Sequence, residues 1–180
     1  RRQRQMCIRD RDNTIKVNEM METNVEHIYA AGDVTGGYQL TPVARMEGIT
    51  AARNMANYPN KVVYHEIPQT LSLNTEVSFV EDEKNNCSDE NKVDIGIPGI
   101  AGPGAFWKIL SGDTGYTKIS FDKKQNKIKK ITSISPSSVS DVAYLSYLMR
   151  INSPLDAYGD FLEIHPSTDA NYKIIKNMWL

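Results

Sequence analysis

The fold of this chain is decided by residues 23–44, which read TNVEHIYAAGDVTGGYQLTPVA. A short apolar run, residues 25–31, stops at Gly32 and Asp33 and is followed by a glycine turn. A strand that ends in this way places its carboxylate at the carboxyl edge of a parallel sheet, where cofactors bind in open α/β folds. Asp33 can there accept a hydrogen bond from a ligand hydroxyl, and Gly32 lets the ligand approach the backbone. Taken alone, the same residues also fit a strand and an ordinary turn, because Gly-Asp is common in turns.

A helix is predicted directly after this turn. Thr41 is a natural N-cap and Pro42 a natural first helical residue, and the helix should end near Asn57. A short alternating strand is predicted at residues 14–17, before the apolar run. The order strand, glycine turn, helix is typical of an α/β domain. The apolar residues at helical spacing are Val43, Ala44, Met46, Ile49, Ala52 and Met55.

Beyond the boundary signal Tyr58-Pro59-Asn60, the pattern becomes antiparallel. The order of the predicted elements is that of an α+β domain, an antiparallel meander with helices on one face. Strands are predicted at residues 76–81, 92–97, 105–110, 115–122 and 127–134. Helices are predicted at residues 139–149, from 153–154 onward, and at 168–178.

Residues 23–44 resemble the second FAD motif of the pyridine nucleotide–disulfide reductases, the group of glutathione reductase, dihydrolipoamide dehydrogenase and mercuric reductase. In that family the motif reads T-x-x-x-x-I-Y-A-x-G-D, followed after a short gap by L-T-P-V-A or a relative. The resemblance implies that Asp33 binds the ribityl chain of FAD and that residues 40–42 lie against the flavin ring. The cofactor-binding residues that it implies are Gly32, Asp33, Leu40, Thr41, Pro42 and Val43.

The predicted helix start adds a physical reason for this cofactor. A helix that begins near Pro42 presents free backbone N–H groups and the positive end of its dipole. Directed at the flavin, these groups would stabilise the anionic reduced form. We therefore expect FAD as cofactor, with NAD(P)H as co-substrate of the intact enzyme.

The second resemblance lies near the carboxyl end, where residues 164–169 read IHPSTD. They are similar to the family's H-P-T-x-S-E, whose histidine reaches the partner's redox-active disulfide and acts as acid and base. The resemblance gives His165 this catalytic role in a homodimer. The family's orienting glutamate, five positions on, is Ala170 here. The nearest carboxylate, Asp169, is rotated by about 100° on a helix, so a plain helix-entry histidine is the alternative.

Composition excludes several other classes of protein. Hydrophobic residues make up 40% and charged residues 24%, as in ordinary soluble proteins. The 21 Lys and Arg nearly balance the 22 Asp and Glu, so charge favours neither nucleic acid nor a membrane as partner. No apolar run could span a bilayer or serve as a secretory signal. Cys7 and Cys87 lie far apart, which predicts free thiols in a reducing cytoplasm and no metal site.

The sequence divides into three parts. Residues 1–11 share no pattern with the rest and are interpreted as a disordered or adaptor-derived tail. Residues 12–58 are expected to be the C-terminal part of a Rossmann-like FAD domain, and residues 61–180 the α+β dimerisation domain. Neither G-x-G-x-x-G nor C-x-x-x-x-C is present in the 180 residues.

These features together predict a C-terminal fragment of an FAD-dependent NAD(P)H oxidoreductase, inactive by itself. The intact enzyme would pass electrons from NAD(P)H through FAD to a small-molecule or protein disulfide. One alternative is a non-catalytic dimerisation or interaction module. The other is a relative of the NADH oxidases or coenzyme A disulfide reductases.

Overall fold

A computed structural model of the chain describes residues 13–82, 91–98, 115–135, 138–160 and 162. The chain divides into two compact units, a first unit, Arg1–Tyr64, and a second unit, His65–Leu180. In the described residues, no helix combines the length and the apolar character needed to cross a membrane.

The first unit is built around helix α1, Thr41–Met55. The helix follows Leu40, whose backbone is extended, and carries Pro42 in its first turn. Proline fits there because the N–H that it lacks would have no partner within the helix. The predicted helix is confirmed, but Thr41 is its first residue and not its N-cap. Among the described residues, Leu40 occupies the N-cap position and makes no side-chain cap hydrogen bond.

The buried face of α1 is largely polar. Of the apolar positions that predicted the helix, Ile49 and Met55 are 51% and 58% exposed. Asn54 lies on the buried face instead, because its side chain donates to the carbonyls of Met20 (2.9 Å) and Asn60 (2.8 Å). Polar residues can occupy a buried face where they satisfy the backbone of neighbouring loops. The buried residues of α1 are Val43, Glu47, Thr50, Ala51 and Asn54.

The strands predicted at residues 14–17 and 25–31 are not formed among the described residues. These segments form isolated bridges only, and a strand needs a continuous ladder of such pairs. The prediction of these two strands was therefore wrong for this part of the chain. The antiparallel bridges between described residues include Val17–Thr23 and Glu22–Tyr29.

The described strands of the second unit form one antiparallel sheet. Their order across the sheet is β1-β2-β5-β4-β3. The last three strands form the expected meander, but β2 pairs with β5 and not with β3. The predicted strands are confirmed at four places, and β1 was missed because three residues show no alternation. The strands are β1 (Gln69–Leu71), β2 (Val77–Glu81), β3 (Lys92–Pro98), β4 (Tyr116–Asp122) and β5 (Lys127–Ile134).

Helix α2, Ser138–Arg150, packs on β2 and β5 and covers one face of this sheet. A 3₁₀ helix, Leu155–Asp160, follows where an α-helix from residues 153–154 was predicted. The apolar residues of the sheet and α2 form the core of the second unit. The core residues are Val80, Ile119, Phe121, Ile128, Ile131, Val142, Leu145, Met149 and Leu155.

The other face of the sheet carries a row of partly exposed apolar residues. Leu71, Ile134 and Tyr116 are 54%, 41% and 45% exposed. Together with Val77, they are directly paired across four strands, which places all four on one face. The members on β2, β4 and β5 each lie three residues from a core residue of the same strand. Residues an odd number of positions apart in a strand point to opposite faces, so the row lies on the face away from the core. We call these four residues the apolar row.

Several predictions fall outside the described residues. They are the tail at 1–11, the thiols of Cys7 and Cys87, the strand at 105–110, the role of His165 and the helix at 168–178.

A β-bulge in β5 adds one buried residue to the strand. Ser120 pairs with Lys130, whereas Phe121 pairs with Ile128, so Lys129 is the extra residue. Without the bulge, two neighbouring residues would point to opposite faces. With it, both Ile128 and Lys129 are buried, at 5% exposure each.

Lys129 is compensated by a short network. Its Nζ donates to Asp82 Oδ2 at 2.9 Å and to Gln125 Oε1 at 2.7 Å. The Lys129 side chain is only 6% exposed. A buried ammonium is tolerated when charge and hydrogen-bond partners of this kind surround it.

Replacing Asp82 by alanine should destabilise the second unit by about 3 kcal/mol, because the Lys129 ammonium stays buried without its counter-charge. Glu81→Ala is the control. It removes the neighbouring pair between Glu81 and Lys130, whose side chains are 55% and 44% exposed, and should cost less than about 1 kcal/mol. Urea unfolding followed by circular dichroism measures both losses. Equal losses would show that burial does not decide the strength of the Lys129 pair.

Candidate functional site

The Gly-Asp pair forms a sharp turn in the first unit. Gly32 has φ 81° and ψ −161°, a region that is almost restricted to glycine. Asp33 opens a short 3₁₀ helix, Asp33–Thr35. Both the backbone N–H and the hydroxyl of Thr35 donate to the Gly32 carbonyl at 2.9 Å. These bonds give the turn one defined conformation.

The Asp33 side chain points to solvent. Within the described ranges, its carboxylate has no hydrogen bond or ion pair. An ionised carboxylate accepts hydrogen bonds only, so the group is suited to a ligand that presents hydroxyls. The role implied for Asp33 by the motif stays a prediction.

The other predicted cofactor residues lie at the start of α1. Leu40 is half-buried, and Thr41 and Pro42 are exposed. Val43 is 3% exposed, so its side chain belongs to the interior of the first unit. Because no side chain caps this helix, its first N–H groups and its positive dipole end are open to an electron-rich ligand.

Glu47 connects the turn to the helix, and the sequence did not predict it. Its side chain is buried, with 2% exposure. Oε2 accepts the N–H of Gly32 at 2.6 Å, and Oε1 accepts the hydroxyl of Tyr64, also at 2.6 Å. A signal was present in the sequence, since Glu47 stands four residues after Val43 and therefore on the same face of the helix. A carboxylate on that face has to find donors.

Tyr64 lies between Glu47 and the end of the glycine loop. Its ring stacks on Tyr38, with centroids 6.1 Å apart and an interplanar angle of 28°. Gly36 and Gly37 and these two rings line a cavity of about 300 Å³. Burial raises the pKa of the Tyr64 phenol, and the hydrogen bond to the Glu47 carboxylate and its charge raise it further.

The structure thus brings the Gly-Asp turn against the first turns of α1. A Cβ atom placed on Gly32 would lie 3.4 Å from the Cβ of Ala44, so turn and helix are in close contact. Gly32, Asp33 and residues 40–43 belong to the first unit. His165 lies outside the described residues, and its catalytic role stays a prediction.

The comparison with protein families identifies the segment that carries this turn. Residues 2–48 match the family described as pyridine nucleotide-disulphide oxidoreductase. The matched segment includes the Gly-Asp turn and the first half of α1.

Relatives match most of the chain. An uncharacterized protein of Methanocaldococcus jannaschii is 35% identical over 157 residues, which are 83% of this chain and 36% of the relative. The dihydrolipoyl dehydrogenase of Chlamydia muridarum is 28% identical over 163 residues, 88% of this chain and 34% of the relative. The dihydrolipoyl dehydrogenase of Bacillus subtilis is 29% identical over 154 residues, which are 85% of this chain and 33% of the relative. The chain spans about a third of the length of these curated relatives.

Solved structures share the fold. The HOCl-induced flavoprotein disulfide reductase RclA of Escherichia coli matches with a TM-score of 0.76 and 18% identity, covering 94% of this chain and 40% of that one. Its copper(II) complex matches with a TM-score of 0.79 and 18% identity, over 92% and 39% of the two chains. At 18% identity, this likeness shows that the small antiparallel sheet and its helices have the fold of part of that protein.

The raised pKa of Tyr64 predicts a loss of stability at alkaline pH. An unfolded tyrosine ionises near the ordinary value of 10.0, whereas folded Tyr64 stays protonated above it. The contribution of Tyr64 to the free energy of unfolding is therefore fully present below pH 10, and it is lost as the pH rises toward the pKa of Tyr64 in the folded protein. Tyr64→Phe should remove this part of the pH dependence, which is at most about 1.4 kcal/mol per pH unit and smaller at a partly exposed site.

Urea unfolding at several pH values between 8 and 11 tests this prediction. Tyr29, whose pKa is also raised by burial and by Glu22, should leave some pH dependence in the variant. Tyr58→Phe, at a position 71% exposed, controls for the loss of a surface phenol. Parallel curves for the wild type and Tyr64→Phe above pH 10 would contradict the prediction.

Proposed function

Because the chain belongs to the pyridine nucleotide-disulphide oxidoreductase family, we propose that it supplies one edge of the flavin site of an FAD-dependent NAD(P)H oxidoreductase. The observation that carries the proposal is the Gly32–Asp33 turn held against the uncapped start of α1. The turn offers a carboxylate and the helix offers backbone N–H groups. These are the two kinds of group that a polyhydroxy chain and an electron-rich ring require.

The residues fit FAD by their chemistry. Asp33 accepts hydrogen bonds from the ribityl hydroxyls, since its carboxylate faces solvent and has no partner among the described residues. Leu40, Thr41 and Pro42 lie against the flavin ring, as the family motif implies. The positive end of the α1 dipole stabilises negative charge on the ring. FAD, when bound, supplies electron transfer between NAD(P)H and the acceptor.

The acceptor that we propose is a disulfide. The support comes from the family and from its relatives, which are named dihydrolipoyl dehydrogenase and flavoprotein disulfide reductase. In the intact enzyme, His165 would serve as acid and base in thiol–disulfide exchange at the partner's disulfide. The absence of the family's glutamate at Ala170 leaves Asp169 as the carboxylate nearest to His165 in the sequence.

The division of the chain into domains follows the arrangement of the family. We propose that residues 12–58 are the C-terminal part of the Rossmann-like FAD domain and that residues 61–180 are the dimerisation domain. The second unit begins at His65, four residues after the proposed start of this domain, and its described strands form a single sheet with a helix on one face.

Asp33→Ala should weaken FAD binding by about tenfold to a hundredfold, because it removes a charge-assisted hydrogen bond. FAD is titrated into the 180-residue chain, and the shifts of backbone amide resonances are followed by NMR. Wild-type binding should be saturable but weak, since these residues lack the G-x-G-x-x-G turn that holds the pyrophosphate.

Glu26→Ala is the matched control, because Glu26 is an exposed carboxylate of the same segment, with an 88% exposed side chain. It should bind FAD like the wild type. Equal affinity of Asp33→Ala and the wild type would remove Asp33 from the site. A tight stoichiometric complex would show that the pyrophosphate turn is not needed.

The chain should also form a symmetric dimer at micromolar concentration. The apolar row is exposed, and the corresponding family domain covers its surface with a second copy in an isologous contact. Obligate interfaces of this kind bury on the order of 2,000 Å² or more. Sedimentation velocity should give the mass of two chains, and Ile134→Lys should shift the equilibrium to monomer. Lys118→Ala, on the polar part of the same face, is the control. A folded wild-type monomer would contradict the dimer and, with it, the action of His165 across subunits.

A further inference from the structure

In the loop from Gly32 to Tyr38, the bonds of Thr35 to the Gly32 carbonyl hold the first half, whereas the glycine half has little intrinsic rigidity. Gly36 and Gly37 have φ values of 76° and 82°. Fixing a glycine in one conformation costs more conformational entropy than fixing any other residue. Nothing lies within 4 Å of the position that a Cβ on Gly37 would take, so this part of the loop is loosely packed. The loop carries Asp33 and leads into the start of α1. Contacts from outside the loop are therefore needed to hold its glycine half in place.

Glu47 is linked to both ends of this loop, directly to the first and through Tyr64 to the second. At the first end, its Oε2 accepts the N–H of Gly32 directly, at 2.6 Å. At the second end, its Oε1 accepts the hydroxyl of Tyr64 at 2.6 Å, and the Tyr64 ring stacks on Tyr38. One side chain thus fixes where the loop starts and, through one aromatic contact, where it ends.

The burial of this carboxylate calls for an explanation. An ionised group with 2% exposure loses most of its hydration, and an apolar residue of similar size would fill the space without that cost. What an apolar residue could not do is accept two hydrogen bonds in two directions. Short bonds to a charged acceptor are also the stronger kind. The burial of the Glu47 carboxylate is therefore explained by the two groups that it orients, the Gly32 N–H and the Tyr64 hydroxyl.

We propose that Glu47 is a positioning residue of the flavin site, which fixes the glycine loop so that Asp33 and the start of α1 face the same ligand. The inference rests on the proposed FAD site and deepens it. Glu47 itself does not touch the ligand. It acts on binding through Gly32 on one side and through Tyr64 and Tyr38 on the other.

Three variants test the role. Glu47→Gln keeps the shape, because the amide oxygen can accept the Gly32 N–H while the amide nitrogen donates to the Tyr64 oxygen. Its affinity for FAD should stay within about threefold of the wild type. Glu47→Ala loses both contacts and should bind FAD at least about tenfold more weakly. Tyr64→Phe loses only the second contact and should fall between them.

Asn54→Ala is the matched control for a purely structural effect. Asn54 is also buried on α1, at 7% exposure, and its side chain bonds to Met20, Thr50 and Asn60 and not to the glycine loop. It should lower the melting temperature without changing the affinity for FAD, provided that titrations are run well below the melting temperature of each variant.

The readouts are the FAD titration by amide NMR on the 180-residue chain and the amide resonances of residues 32–37 without ligand. In the wild type and Glu47→Gln, the Gly32 amide proton should lie downfield, and in Glu47→Ala it should move upfield while resonances 32–37 broaden or shift. Asn54→Ala should leave these resonances in place. Rescue by glutamine together with the loss in alanine supports positioning.

Two different results overturn two different statements. If the wild type shows no FAD-dependent shifts, the proposed flavin site fails, and Glu47 positions nothing for FAD. If the wild type binds FAD and Glu47→Ala binds it equally well, the flavin site stands and the positioning role fails. Equal losses of affinity in Glu47→Ala and Asn54→Ala reduce Glu47 to structural support, and they too overturn the proposal.

Discussion

The first unit depends on one buried carboxylate that accepts two hydrogen bonds. Glu47 receives the N–H of Gly32 and the hydroxyl of Tyr64, each at 2.6 Å. The Thr35 bonds hold the Gly-Asp turn itself, and the Glu47 bonds connect that turn and the glycine half of the loop to α1. With them, Gly32 adopts a backbone conformation that other residues avoid, and the next residue, Asp33, is directed to solvent. The Asp33 carboxylate is thus open to a ligand, because the Glu47 carboxylate holds the preceding residue, Gly32, and bonds to Tyr64.

The same arrangement explains why α1 buries polar residues. A helix beside a regular sheet would bury apolar side chains, whereas α1 lies against loops whose N–H and carbonyl groups need partners. Asn54 and Glu47 supply these partners, and Ile49 and Met55 remain more than half exposed. The hydrophobic pattern therefore predicts that a helix forms here but not which face it buries. Burial in this unit follows hydrogen-bond demand as much as hydropathy.

The sequence predicts the parts of the fold that local chemistry controls. Alternating residues located β2 to β5 almost to the residue, and Pro42 marked the start of α1, since both signals act within a few positions. The pairing of β2 with β5 was not predictable in this way, because it joins residues about fifty positions apart. The site shows the same limit. Asp33 was found through a contiguous motif, but Glu47 and Tyr64 matter only through contacts that the fold creates.

The bulge at Lys129 has a consequence for how this sheet can change in length. On either side of it, β5 pairs in register with β4, from Ser120–Lys130 toward one end and from Phe121–Ile128 toward the other. Loss of the single residue Lys129 would join the two registers into one regular ladder, because the bulge residue has no partner of its own on β4. On the β2 side, the same loss would remove the hydrogen bond from the Asp82 N–H to the Lys129 carbonyl (2.8 Å) and the buried Lys129–Asp82 pair. The bulge residue is therefore kept by its contacts to β2, whereas its pairing with β4 would allow the strand to be one residue shorter.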